Sequence, residues 1–130
     1  QKLRELEDFC EINNIDRDKF CIVSSAILSV YGLRDCRDID IISCEEYIGI
    51  FTKGGYGLHN KYANSGCYPS TSDDIILNPT HFFHFRHFKF CTIDVVMDNK
   101  KYRIKNRLFG EESVQKDKKD LKLIKKFFRK

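Results

Sequence analysis

Asp38 and Asp40 flank Ile39 at the head of DIDII (38–42), within the longer stretch GLRDCRDIDII (32–42). The β-branched run predicts a buried strand, and on a strand residues i and i+2 point to the same face. Two carboxylates placed so close repel each other unless something cationic lies between them. The pair is costly without a purpose, and any fold for this chain has to account for it.

What precedes the pair suggests the purpose. FCIV (20–23) is a short β-rich run, Ser24 and Ser25 follow at once, and SAILSVYG reads as a helix closed by Gly32. In a sheet built this way, the Ser24–Ser25 turn and the Asp38/Asp40 strand lie side by side. Amides at a helix start, with two hydroxyls, form a cradle for phosphate oxygens. Two carboxylates opposite would hold Mg²⁺, which takes a few carboxylates and fills its other positions with phosphate oxygens and water. A third carboxylate is then wanted, and TIDVV supplies Asp94, expected on a later strand.

The rest of the chain fills in around these segments. Residues 2 to 13 read as a helix with an apolar stripe of Leu3, Leu6, Phe9, Cys10 and Ile12. Residues 45 to 72, rich in glycine, predict a long functional loop broken by short helical pieces. DDIILNP reads as strand-like, and HFFHFRHFKF and CTIDVVM as two β segments. From Ser113 onward Val114, Leu121, Ile124 and Phe128 recur at helical spacing. The expectation is one α/β (α+β) domain over residues 1–130, a small mixed sheet flanked by helices. The chain begins at Gln1 rather than Met, which leaves room for it to be part of a longer protein.

IVSS, then twelve residues, then DID, and much later IDV resembles the nucleotidyltransferase superfamily related to DNA polymerase β. The family pattern is a hydrophobe, Gly, Gly or Ser, a short spacer, Asp-x-Asp or Asp-x-Glu, and a distal carboxylate. YGLRD..DIDI and the tail KDKKDLKLI are similar to the minimal and aminoglycoside-type members. The resemblance covers residues 20 to about 125. It implies a polymerase β-like fold, Mg²⁺ at Asp38, Asp40 and Asp94, and Asp94 as base or third ligand. It also implies phosphate binding at Ser24 and Ser25, with Arg37 a further phosphate contact. The activity implied is transfer of a nucleoside monophosphate from an NTP, ATP among them, to an acceptor hydroxyl or phosphate. One departure stands out: Ser24 replaces the family's first Gly, where the backbone needs freedom.

A non-catalytic nucleotidyltransferase-like module, binding a nucleotide or a protein partner, is the alternative. Ser24 speaks for it, and the retained acids speak against it. A net charge of +4, much of it in the tail, suits an anionic ligand but falls short of a nucleic-acid binder's basic stripe. The acceptor is therefore expected to be a small molecule or protein rather than long nucleic acid. A basic nucleic-acid-binding domain of another fold is the third reading.

On the terminal helix Asp117 falls on the apolar side and needs a partner, with Arg103 or Arg107 as candidates. Lys116 and Asp120 could pair with each other, or Lys116 could reach a triphosphate. His81, His84 and His87 cannot all converge on a strand, so zinc is not expected; they could line a pocket or simply pack. Six scattered cysteines without a CxxC pair, and no signal peptide, predict reduced thiols in a cytoplasmic protein. No apolar run reaches the roughly 18 residues of a membrane span.

Overall fold

Val23 and Asp40 face each other across an antiparallel pair, and the rest of the sheet is laid out from there. The computed structural model describes residues 2–107 and 109–129. Among them β1 (Phe20–Val23) pairs with β2 (Asp40–Ser43), and β1 also pairs in parallel with β5 (Phe88–Cys91). β3 (Gly57–Leu58) extends the sheet beyond β2, and β4 (Phe82–Phe85) beyond β5, giving the order β3-β2-β1-β5-β4. β1 is central and buried along its whole length. That is why FCIV is continuously apolar rather than alternating.

Seven helices flank this mixed sheet among the described residues: α1 (Lys2–Ile12), α2 (Ser25–Val30), α3 (Ile48–Lys53), α4 (Asn60–Asn64), α5 (Ser72–Leu77), α6 (Ile93–Asn106) and α7 (Glu111–Phe128). Phe20 of β1 packs edge-on against Phe51 of α3, and Phe51 stacks on Phe9 of α1. α2 ends as expected at Gly32, whose φ of +72° lets Leu33 N–H return to the Leu28 carbonyl at 2.9 Å. All six cysteines are free thiols.

Three expectations are corrected. DDIILNP is not a strand: Thr71 accepts from Asp74 N–H and starts α5, which packs the adjacent Ile75 and Ile76 against β2 and β1. CTIDVVM is not a strand beyond Cys91 either. Thr92 turns the chain into α6, so Asp94 lies in a helical first turn and not on a strand. The β-branched residues of IDVV suggested a strand, but burial of Ile93, Val95 and Val96 on one side of a helix overrides that weak preference. The two β segments instead share HFFHFRHFKF, as a hairpin turning at Arg86 and His87. Both turn residues have positive φ, 52° and 67°, where Asn-Gly is the usual signal. Among the described residues no helix is long and apolar enough to cross a membrane.

Candidate functional site

Sheet direction brings the distant motifs to one end. β1 runs into Ser24 and Ser25, and β2, antiparallel, begins at Asp40 opposite Val23. β5 runs parallel to β1, so Thr92 and Asp94 leave the sheet at that same end. A cleft of about 1050 Å³ opens there, and Ser25, Arg37, Asp38, Asp40 and Lys116 all line it. Asp38 precedes β2 instead of lying within it, so both acids line the cleft without sharing a strand face. Ser24 and Asp94 are not among the lining residues. Asp94 is exposed, and Ser24 is buried behind Ser25 at the turn.

Ser24 holds the backbone geometry that a glycine would. Its φ of 65° and ψ of −136° lie where a Cβ is disfavoured, so the turn from β1 into α2 carries local strain. α2 is only six residues long, so few aligned peptide dipoles point at the cleft. Positive potential comes instead from side chains. Lys116, Lys119, Lys122 and Lys126 reach the cleft from α7, with Arg37 from the loop before β2. Helical spacing places these lysines along one side of α7, a periodicity visible in the sequence once Lys116 is singled out. The loop before β2 and the start of β2 thus bring Asp38 and Asp40 together with Arg37 to the cleft, and α7 brings four lysines together with Asp120.

Behind these lysines lies a buried ionic network. Lys100 of α6 stands 3.2 Å from Asp117 and 2.9 Å from Asp120, all three buried. Arg103 Nε is 3.1 Å from Asp117 Oδ2, although not aligned for a hydrogen bond. Arg34 donates to Asp120 through Nε at 2.7 Å, and through Nη2 to Ser25 Oγ at 2.8 Å. One guanidinium thus ties the start of α2 to α7. Burial pushes the Asp120 carboxyl up, but the Arg34 hydrogen bond and the Lys100 charge outweigh it and leave it below the usual carboxylate range. Asp117 finds Arg103 as one of its two expected candidates, while Arg107 pairs with Glu111. Lys100 was missed, and Asp120 turns inward instead of pairing with Lys116. The network ties α7 to α6 and, through Arg34, to the start of α2.

Asp40 has neighbours that the sequence did not reveal. His59 Nε2 lies 3.3 Å from Asp40 Oδ2, and His59 Nδ1 lies 2.6 Å from the Tyr68 hydroxyl. Gly57 faces Asp40 across the β2–β3 pair, and a Cβ there would meet Asp40 Oδ1 at 2.5 Å. No motif spacing marks GLH (57–59) as part of a site. His81 pairs with Asp74 at 3.2 Å, and His81, His84 and His87 are absent from the cleft lining.

Among the described residues no three His, Cys, Asp or Glu side chains gather into a ligand set. Two carboxylates opening on a wide cleft nonetheless fit Mg²⁺, which uses one or two carboxylates and leaves its other positions to water and phosphate oxygens. Compared with protein-family models, curated proteins and solved structures, the chain matches none.

Proposed function

We propose that the protein is a Mg²⁺-dependent nucleotidyltransferase with a polymerase β-like core, moving a nucleoside monophosphate from an NTP to an acceptor hydroxyl or phosphate. The observation that carries this reading is the company the acids keep in one cleft: Asp38 and Asp40 from β2 and its approach, and four lysines from α7. A polyphosphate with a divalent cation has that same mixture of charge. Asp38 and Asp40 would hold Mg²⁺, which supplies charge neutralisation at the phosphate when bound. Lys116 and Lys119 would bind phosphate oxygens, and Arg37 would add a planar donor. Ser25, oriented by Arg34, would position the phosphates beside α2. The acceptor oxygen attacks the α-phosphorus in line, the bond to the bridging oxygen breaks, and pyrophosphate leaves. Asp94 is proposed to take the acceptor's proton or to complete the cation site. A small molecule or a protein remains the proposed acceptor.

The exposed position of Asp94 outside the cleft lining favours a second reading, in which the cleft binds Mg²⁺ and nucleotide, or supports a partner, without turnover. The test is thermal stability with each NTP, with and without Mg²⁺, for wild type and Asp38→Asn/Asp40→Asn, combined with an assay for pyrophosphate. A ligand of the folded state raises the midpoint by mass action, by about 2.7 kcal/mol at a hundred times Kd. A Mg²⁺-dependent shift lost in the double variant is expected, with pyrophosphate released once an acceptor is supplied. A shift without release from any acceptor supports the second reading. The absence of any shift in a folded protein overturns the enzyme and nucleotide-binding readings and leaves the partner-supporting module.

A further inference from the structure

We propose that His59 is a positioning residue for Asp40, locked in one tautomer by the Tyr68 hydroxyl, and that this pair sets how tightly Asp38 and Asp40 hold a divalent cation. The inference rests on the reading of Asp38 and Asp40 as a Mg²⁺ site.

The chain builds the pair from the sheet edge. β3 lies parallel to β2 with Asp40 opposite Gly57 and Ile41 opposite Leu58. The next amide, His59 N–H, donates to the Ile41 carbonyl at 2.9 Å, so His59 is fastened beside β2. Its ring is nearly buried, with Tyr62 edge-on at 5.4 Å and Tyr68 at 6.1 Å between centroids. Tyr68 is itself buried, and its hydroxyl is 2.6 Å from His59 Nδ1. Burial pushes the Tyr68 phenol well above its ordinary range, so it keeps a proton that it can give to Nδ1, and that is the direction we assign to this contact. A neutral imidazole whose Nδ1 accepts carries its proton on Nε2. Nε2 stands 3.3 Å from Asp40 Oδ2, close but not aligned for a hydrogen bond, and contacts of this kind tighten when a site is filled.

The other carboxylate oxygen is placed by an absence. Asp40 Oδ1 lies against the Cα of Gly57, in space that any side chain would fill. The carboxylate thus has a neighbour at each oxygen, while Asp38 is exposed on the loop before β2. A ligand held in orientation by an outer hydrogen bond binds its cation more tightly. Loss of such a partner typically costs about 10–100-fold in affinity. If His59 served packing alone, the Tyr68 hydroxyl would be irrelevant to cation binding, because Tyr68→Phe keeps the ring.

The test is Mn²⁺ binding followed by water-proton relaxation, with and without ATP, on the full chain. Wild type is expected to bind and Asp40→Asn to lose binding. His59→Ala is expected to weaken Mn²⁺ at least about tenfold, His59→Gln to recover part through its amide donor, and Tyr68→Phe to weaken it measurably with the thermal midpoint reported alongside. Nitrogen NMR of the imidazole is expected to show His59 protonated at Nε2 and bare at Nδ1. Unchanged Mn²⁺ affinity in His59→Ala and Tyr68→Phe, with binding lost in Asp40→Asn, overturns the positioning role and leaves the cation site standing. A proton found on Nδ1 overturns it as well. Mn²⁺ binding that survives Asp40→Asn removes the cation site itself. If His59→Ala does not fold, Tyr68→Phe and the tautomer decide.

Discussion

The α6–α7 seam and the acidic pair of the cleft use the same materials to opposite ends. In the seam, Lys100, Asp117 and Asp120 are buried and paired, with Arg103 and Arg34 at the margin. In the cleft, Asp38 is exposed and Asp40 half-buried, with one histidine beside it. A buried charge without its partner is severely penalised, so the seam can exist only as a complete set. An exposed charge is solvated and can wait for a ligand. The difference separates charges that hold the molecule together from charges left available.

The comparison breaks most visibly if one member of the seam is removed. Lys100→Met leaves buried Asp117 and Asp120 to Arg103 and Arg34 alone and is expected to cost about 3–5 kcal/mol of stability by urea unfolding. A loss no larger than a surface substitution would mean that the seam is not a closed set. Acid sharpens the same point. The folded Asp120 carboxyl is depressed, so its contribution is present above the ordinary carboxylate pKa of about 3.9 and is lost as pH falls through the folded value. Asp120→Asn should therefore be less stable than wild type at pH 7, and the gap should close on acidification. A gap independent of pH would contradict the assignment.

In the cleft the expectation reverses. Asp38→Asn should change unfolding free energy by no more than about 0.5 kcal/mol, while abolishing the Mg²⁺-dependent stabilisation by nucleotide. Finding the opposite, a large stability loss with nucleotide response intact, would place Asp38 among the structural charges. A modest gain, away from both regions, is expected at the turn between β1 and α2. Ser24→Gly relieves a positive φ and is expected to raise stability by about 1 kcal/mol. A lower denaturation midpoint in that variant would show that the Ser24 side chain contributes more than its backbone costs.

Legibility in the sequence followed the range of the interactions. FCIV, the helix ended by Gly32, and the long terminal helix were readable because each is set by local apolar spacing and a local stop signal. DDIILNP and TIDVV misled because short β-branched runs carry no period that separates a strand from one buried side of a helix. The hairpin at Arg86–His87 lacks the glycine or asparagine that would have announced it. Of the site, Ser25, Arg37, Asp38, Asp40 and Lys116 could be singled out by residue type and spacing, and all five line the cleft. His59 could not, because nothing in GLH (57–59) signals that a third strand lays it beside Asp40.

The sequence by itself determined which segments are buried, where helix α2 stops, and which side chains have chemistry to offer. Those follow from side-chain hydrophobicity and backbone preference, which act within a few residues. Only the tertiary structure decided which acids face the cleft, that Asp94 stands apart from them, and that Lys100 and Arg34 belong to one network. Partners such as Arg34 and Asp120 are 86 residues apart in the chain. Their pairing is fixed by how the helices pack against the sheet, and no local pattern encodes it.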